Sequence, residues 1–439
     1  MKAFAAIGAL ALMFALSSSS VDAQATPIDI GSGREYFAEL RELGALDGGR
    51  LWGRVVSGPM LFVDAATRTV VANESDAAGL LRSENGVWVG RLPQNINAAN
   101  TAVELGGKRW SLVLWPVSDS RYTRRRLLMH ESFHRIQNEL GIPAGDPSNT
   151  HLAQLEGRIW TRFEWRALTE ALLRTGEMRK RALTDALIFR AKRRAVFAGA
   201  AEGERQLELN EGLAEYTGLV LSGLPRSSLP DRAAVQLAQT EPQESFVRSF
   251  AYASGPAYGL LLDAAGKPWR NRIRPSSDLS AMAAGAYGIA SIDEGKAESL
   301  IDRYTGSRMV ADERSRNAKR IENETRLRGR FIDGPTLTLP VGGSFAFSFD
   351  PNGATPIPGV GTVYASSRIT DDWGVLEVSS GGVLFIRKDG GPITGVVVAA
   401  PIVSADGVKG DGWKLTLAPG WTATDGSRKG DFVIAQRRN

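Results

Sequence analysis

Residues Arg126-Leu127-Leu128-Met129-His130-Glu131-Ser132-Phe133-His134-Arg135-Ile136-Gln137-Asn138-Glu139-Leu140-Gly141 decide how this chain is read. Leu127, Leu128, Met129, Phe133, Ile136 and Leu140 recur at helical spacing without an internal Gly or Pro, which predicts a helix with an apolar stripe. Gly141 and Pro143 then stop it. His130 and His134 lie one turn apart on one face of that helix, and they are two of only three histidines in 439 residues. Two imidazoles so placed can grip one Zn²⁺ while Glu131 stands beside a water that the metal polarises, an arrangement suited to hydrolysis. A core helix whose histidines make ordinary hydrogen bonds is the plainer reading. It suits a lone histidine better than this pair with its glutamate.

Two histidines leave a catalytic zinc one protein ligand short, since such sites usually have three and keep the fourth position for water. The chain has no cysteine, so the third ligand is a carboxylate or the remaining histidine. Gly141 is not followed by the histidine that the metzincin pattern would require. Three candidates remain: Glu211 in Asn210-Glu211-Gly212-Leu213-Ala214-Glu215-Tyr216, Glu156 in Leu155-Glu156-Gly157-Arg158, and His151. Glu156 and Glu164 otherwise read as a helix face in contact with Arg158 or Arg162.

With these motifs the chain resembles the gluzincin metallopeptidases, particularly their aminopeptidase-N-like branch, in which HExxH is completed by the Glu of an NEGxA helix. The resemblance implies that Glu211 is the third zinc ligand and that Glu215, one turn on, holds a ligand histidine by hydrogen bonding. Seventy-six residues separate His134 from Glu211, a longer insertion than the roughly 18 of the best-known members, so the intervening helices must loop out and return. Tyr252-Ala253-Ser254-Gly255 is similar to the YxxG that places a transition-state tyrosine in that branch, which implies Tyr252 as the donor to the oxyanion, with Tyr258 as the second choice. Glu131 is then the general base. The Gly-x-Met-x-Asn stretch that anchors a substrate's amino terminus in aminopeptidases is absent between Gly86 and Val117, which leaves endopeptidase action open.

Met1-Lys2, the apolar run Ala3 to Leu16 and the small residues up to Ala25 have the three parts of a secretory signal, so residues 1–25 are expected to be removed on export to the periplasm or medium. No later segment reaches transmembrane length. The net charge is +5, and removing one Lys and one Asp with the signal leaves it unchanged. That charge favours acidic partners or an anionic envelope surface. The arginine clusters at Arg121, Arg124, Arg125 and Arg126, and at Arg190, Lys192, Arg193 and Arg194, read as solvated helix faces rather than a nucleic-acid surface.

The fold class expected is α+β and multidomain. Residues 26–118 read as a β-rich lobe, with short strands at Val55-Val56, Met60 to Val63, Thr69 to Ala72, Val87 to Leu92 and Trp110 to Trp115. The last of these is either a plain core strand or an edge on which an extended peptide pairs. Residues 119–332 read as a helical, zincin-like catalytic domain, with Pro225, Pro230 and Pro242 marking an irregular connection. Residues 335–439 read as an all-β sandwich or barrel with Gly-rich turns. The functional expectation is an exported zinc peptidase acting on peptide or protein substrates. The alternative is a catalytically inactive gluzincin-like binding protein of the envelope.

Overall fold

In the computed structural model, which describes residues 27–437 apart from 148, 350–353, 388–390 and 405–406, the chain begins with a helix, α1 (Ile30–Asp47). The signal segment expected over residues 1–25 lies outside the described residues. Asp29 caps α1 by accepting from the Ser32 amide at 2.7 Å, and Gly48 ends it in the left-handed region at φ 58°. Tyr36, Phe37, Leu40 and Leu43 form its buried face. A helix therefore opens the lobe that the sequence suggests is built of strands.

Strands β1 (Met60–Val63), β2 (Thr69–Ala72), β3 (Arg82–Glu84), β4 (Val87–Arg91), β5 (Thr101–Leu105) and β6 (Lys108–Leu114) form one sheet in the order β3-β4-β2-β1-β6-β5. Only β1 and β6 pair in parallel, with Met60 opposite Ser111 and Val63 opposite Leu114. Both faces of the sheet's centre are covered, so β1 is an unbroken apolar run rather than an alternating one. Phe62, Val71 and Val113 join the large helical core, while Leu61, Val63, Val70 and Leu112 pack with Leu81 and Leu92 on the other side. Val55 and Val56 form no strand.

Helix α2 (Arg121–Ile136) carries the histidines and lies on this sheet. Ser120 is its N-cap, and Gly141 closes the following 3₁₀ turn at φ 70°. Ser111 on β6 donates to the Glu131 carbonyl at 3.1 Å, and Arg109 donates to the Arg135 carbonyl at 3.0 Å, so the strand holds the backbone on which the motif stands. On the other side Arg124 makes a bidentate pair with Glu39 of α1 at 2.9 and 3.0 Å. Arg124 and Arg125 are both buried, not part of a solvated face.

The long insertion after α2 is a helical hairpin, α3 (Leu155–Leu173) and α4 (Gly176–Val196), whose many mutual contacts let the chain travel out and return. Helix α5 (Ala200–Leu207) then runs through a π turn at Glu208–Gly212 into α6 (Leu213–Val220). Helix α7 (Leu229–Thr240) occupies the segment that its prolines mark as irregular. Pro230 sits in its first turn, where the missing amide costs nothing, and helix α8 (Ser249–Ala264) follows. Helices α9 (Leu279–Ala286) and α10 (Gly306–Arg328) complete the helical region.

The chain divides into two compact units, residues 1–313 and 314–439, so the division falls inside α10. The second unit is a sandwich of two mostly antiparallel sheets sharing one core. Leu337, Val383, Phe385, Val396 and Val398 come from one sheet, and Ile369, Leu376, Val408, Trp413 and Leu415 from the other. Leu384 and Val397, the alternate positions of the first sheet, pack instead with Leu327 and Phe331 from the end of α10 and the turn after it. The chain as a whole is thus a multidomain α+β protein.

Candidate metal centre

His130 and His134 point their rings together from α2, with Nε2 atoms 3.2 Å apart, and Glu211 brings one carboxylate oxygen to 3.5 Å from each. These are the donor atoms of a group that could hold a metal ion, all within 4.8 Å of one another. Among the described residues no other such group of His, Asp and Glu is found.

The fold delivers Glu211 by close backbone approaches. A Cβ on Gly218 of α6 would come within 2.6 Å of the Arg126 carbonyl and 3.3 Å of the His130 Cβ, so this glycine lets α6 press against the histidine helix. A Cβ on Gly255 of α8 would lie 2.3 Å from the Gly212 Cα, so the Gly of NEG and the Gly of YASG touch where the π turn crosses α8. That crossing brings the Tyr252 hydroxyl to 2.5 Å from Glu211 Oε2 and lays its ring parallel to His130, 5.7 Å between centroids.

On an unbroken α-helix Glu204, Glu208, Glu211 and Glu215 would share one face, being spaced by four, three and four. The π turn rotates the later pair off it. Glu204 and Glu208 turn to the arginines of α4, while Glu211 and Glu215 turn to α2. Such single wide turns recur at functional sites.

Hydrogen bonding specifies which imidazole nitrogens are free. His130 Nδ1 lies 2.8 Å from Glu215 Oε2, a carboxylate that also pairs with Arg126 and accepts from Gln236 at 3.3 Å. That nitrogen therefore carries the proton and Nε2 presents a lone pair. His134 Nδ1 lies 2.8 Å from Gln137 Oε1, so this ring too carries a proton on Nδ1. His130 Nε2, His134 Nε2 and a carboxylate oxygen thus face one another in a buried space, an arrangement that needs a positive charge among them.

A proton held on His134, or a metal ion in its place, supplies that charge. Burial, with His134 beside it, pushes His130 down to about 4. Burial also opposes the charge of His134, but Glu211 and Glu131 outweigh it and hold that ring up to about 9. Burial lifts Glu131 to about 8, with Glu211 adding to it. Glu211 lies well below the usual range, since the two histidines outweigh its burial. One Glu131 oxygen is buried without a hydrogen-bond partner. His134 is the most open of the three donor residues, its side chain 14% exposed.

The structure separates the rival residues. His151 is 2.9 Å from Glu204 and belongs to the arginine network of α4. Glu156 accepts from the Trp160 indole at 2.8 Å. Glu164 pairs with Arg190 and Arg193, whereas Arg158 and Arg162 pair with Glu313, so the helix-face contacts read from sequence do not form. Tyr258 donates to Glu164 at 2.9 Å, away from the histidines. Strand β6 lies between β1 and β5 and has no free edge; β5 is the edge beside α2.

Sequence reasoning gave no role to Gln137, Asn210, Arg248 or Gln236, and it read Arg126, which pairs with Glu215, as part of a solvated face. Gln137 could have been found, since it stands three residues after His134 on the same helical face. Arg248, which donates to Glu211 Oε1 at 3.1 Å and pairs with Asp146, left no local signal. Among the described residues no helix is long and apolar enough to cross a membrane. No family model, no curated protein and no solved structure matches this chain.

Proposed function

We propose that the protein is a zinc-dependent peptidase of gluzincin type, exported by its N-terminal segment and acting on peptide or protein substrates. The observation that carries this reading is the convergence of His130 Nε2, His134 Nε2 and one Glu211 oxygen, with the Nδ1 of each histidine hydrogen-bonded elsewhere, on a helix that also carries the buried Glu131. Two nitrogens and a carboxylate are a donor set suited to zinc, with a fourth position left for water or substrate. Zinc held there would supply a Lewis acid for the scissile carbonyl and lower the pKa of a water.

The chain's own groups do the rest. Glu131 accepts the water proton and returns it to the departing amine. Tyr252, whose hydroxyl already reaches Glu211 Oε2, donates to the oxyanion as the carbonyl becomes tetrahedral. Glu215 and Gln137 keep the histidine protons on Nδ1.

The test is Glu131→Gln. The variant should retain zinc by elemental analysis and lose about 10²- to 10⁴-fold in casein hydrolysis. Undiminished hydrolysis would remove Glu131 from the chemistry. A parent protein that holds zinc and cleaves nothing would instead be a gluzincin-like binding protein.

A further inference from the structure

The geometry points to Gln137 and Asn210 as positioning residues. Their side-chain amides form one relay that sets the donor nitrogen of His134, steadies Glu211 and ties the segment 142–147 to both. This inference rests on the metal reading above but concerns residues to which that reading gives no chemistry.

Both amides are buried, and each group they contain has a partner. Gln137 donates to the Pro143 carbonyl at 3.0 Å and to Asn210 Oδ1 at 2.9 Å. Asn210 donates to the Gly145 carbonyl at 3.0 Å and to Glu211 Oε1 at 3.2 Å. The orientation follows from the ends of the chain. The Gly145 carbonyl and the Glu211 carboxylate can only accept, so the NH₂ of Asn210 faces them and its oxygen faces Gln137. Gln137 must then donate to Asn210 and to the Pro143 carbonyl, which leaves its oxygen for His134 Nδ1 at 2.8 Å. His134 is thereby required to carry a proton on Nδ1, which makes Nε2 the atom that a metal would take. Two backbone carbonyls of an otherwise irregular segment thus help determine which nitrogen of a proposed ligand is free. Arg248 adds a third tie, since it joins Glu211 to Asp146 of the same segment.

The relay makes opposite demands on the two halves of Gln137: an acceptor for the histidine and two donors for the segment. Gln137→Glu keeps the acceptor and removes the donors, while Gln137→Leu removes both. Zinc affinity of the full-length chain, measured by competition with a chromophoric chelator, should fall about 10- to 100-fold in Gln137→Leu and stay within about threefold of the parent in Gln137→Glu. Hydrogen exchange at Ala144, Gly145 and Asp146 should quicken in both variants and in Asn210→Asp. Damage to the fold alone would weaken zinc binding in both Gln137 variants together. Zinc binding by Gln137→Leu within twofold of the parent, or unchanged exchange at 144–146 in Gln137→Glu, overturns the inference. A parent chain without zinc affinity overturns the metal centre itself, and the relay's purpose with it.

Discussion

Two buried charged clusters lie side by side along the α5–α6 segment, and they differ in one respect. In the arginine cluster every carboxylate meets a guanidinium. Glu164 takes Arg190 at 2.7 Å and Arg193 at 2.6 Å, Glu208 takes Arg190 through both oxygens, and Glu204 takes Arg193 and Arg194. In the histidine cluster the nitrogens of two imidazoles and an oxygen of Glu211 converge on one another, and an oxygen of Glu131 is buried without a partner. A cluster closed upon itself holds helices together. One whose ligating atoms turn towards one another could hold a cation, and the contrast distinguishes scaffold from candidate site without appeal to any relative.

The contrast can be broken most severely on the scaffold side. Arg193→Met would leave Glu164 and Glu204 short of a counter-ion in the interior, and we expect it to cost about 3–5 kcal/mol by urea unfolding. A loss below about 1 kcal/mol would mean that the cluster is hydrated and the distinction unsound.

On the site side, zinc at a hundredfold excess over its Kd should stabilise the parent by about 2.7 kcal/mol, measured by the same unfolding. Glu211→Gln should lose most of that increment, whereas Glu156→Gln should keep it. An increment that survives in Glu211→Gln would exclude that carboxylate from the metal.

On the proposed mechanism, Tyr252→Phe touches chemistry and not ligation. Casein hydrolysis should fall about tenfold to a hundredfold while zinc affinity changes little. Equal losses in both would make the tyrosine a support for Glu211 instead.

The smallest effect expected is the pH dependence of the scaffold. Glu204 and Glu164 are held below the ordinary value of 4.5, because their arginines outweigh burial. A carboxyl with a folded pKa below its unfolded one binds fewer protons when folded, so its contribution is complete above about pH 4.5 and is lost as pH falls through the folded value. Glu208, raised by burial, works in the opposite sense. Each unit of displacement is worth about 1.4 kcal/mol, so stability should decline towards pH 3 more gently in Arg193→Met than in the parent. Parallel curves would assign the acid loss to other carboxylates.

Much of this was legible in local sequence, and some misreadings were avoidable. The helix at Ile30–Asp47 has its cap at Asp29, its stop at Gly48 and apolar residues at helical spacing, yet the strands after it drew the whole lobe into a β reading. The prolines at 225–242 suggest a loop, although Pro230 in a first turn starts a helix rather than ending one. The arginines of α4 could not be read locally. Arg190 and Arg193 look like a solvated face because their partners stand on α3, in α5 and in the π turn after it.

The sequence by itself determined the histidine helix, since a spacing of four on an uninterrupted apolar stripe places both rings on one side wherever the helix docks. It also determined the alternation of the C-terminal strands and supplied a stripe of four glutamates at helical spacing. Tertiary structure alone decided which two of those glutamates face the histidines. A π turn between Glu208 and Gly212, together with the contact of Gly212 on Gly255, rotates Glu211 and Glu215 towards α2 and leaves Glu204 and Glu208 to the arginines. The reason is physical: helical periodicity is a local property that four residues reveal, whereas the direction a helix face points is set by the surfaces packed against it.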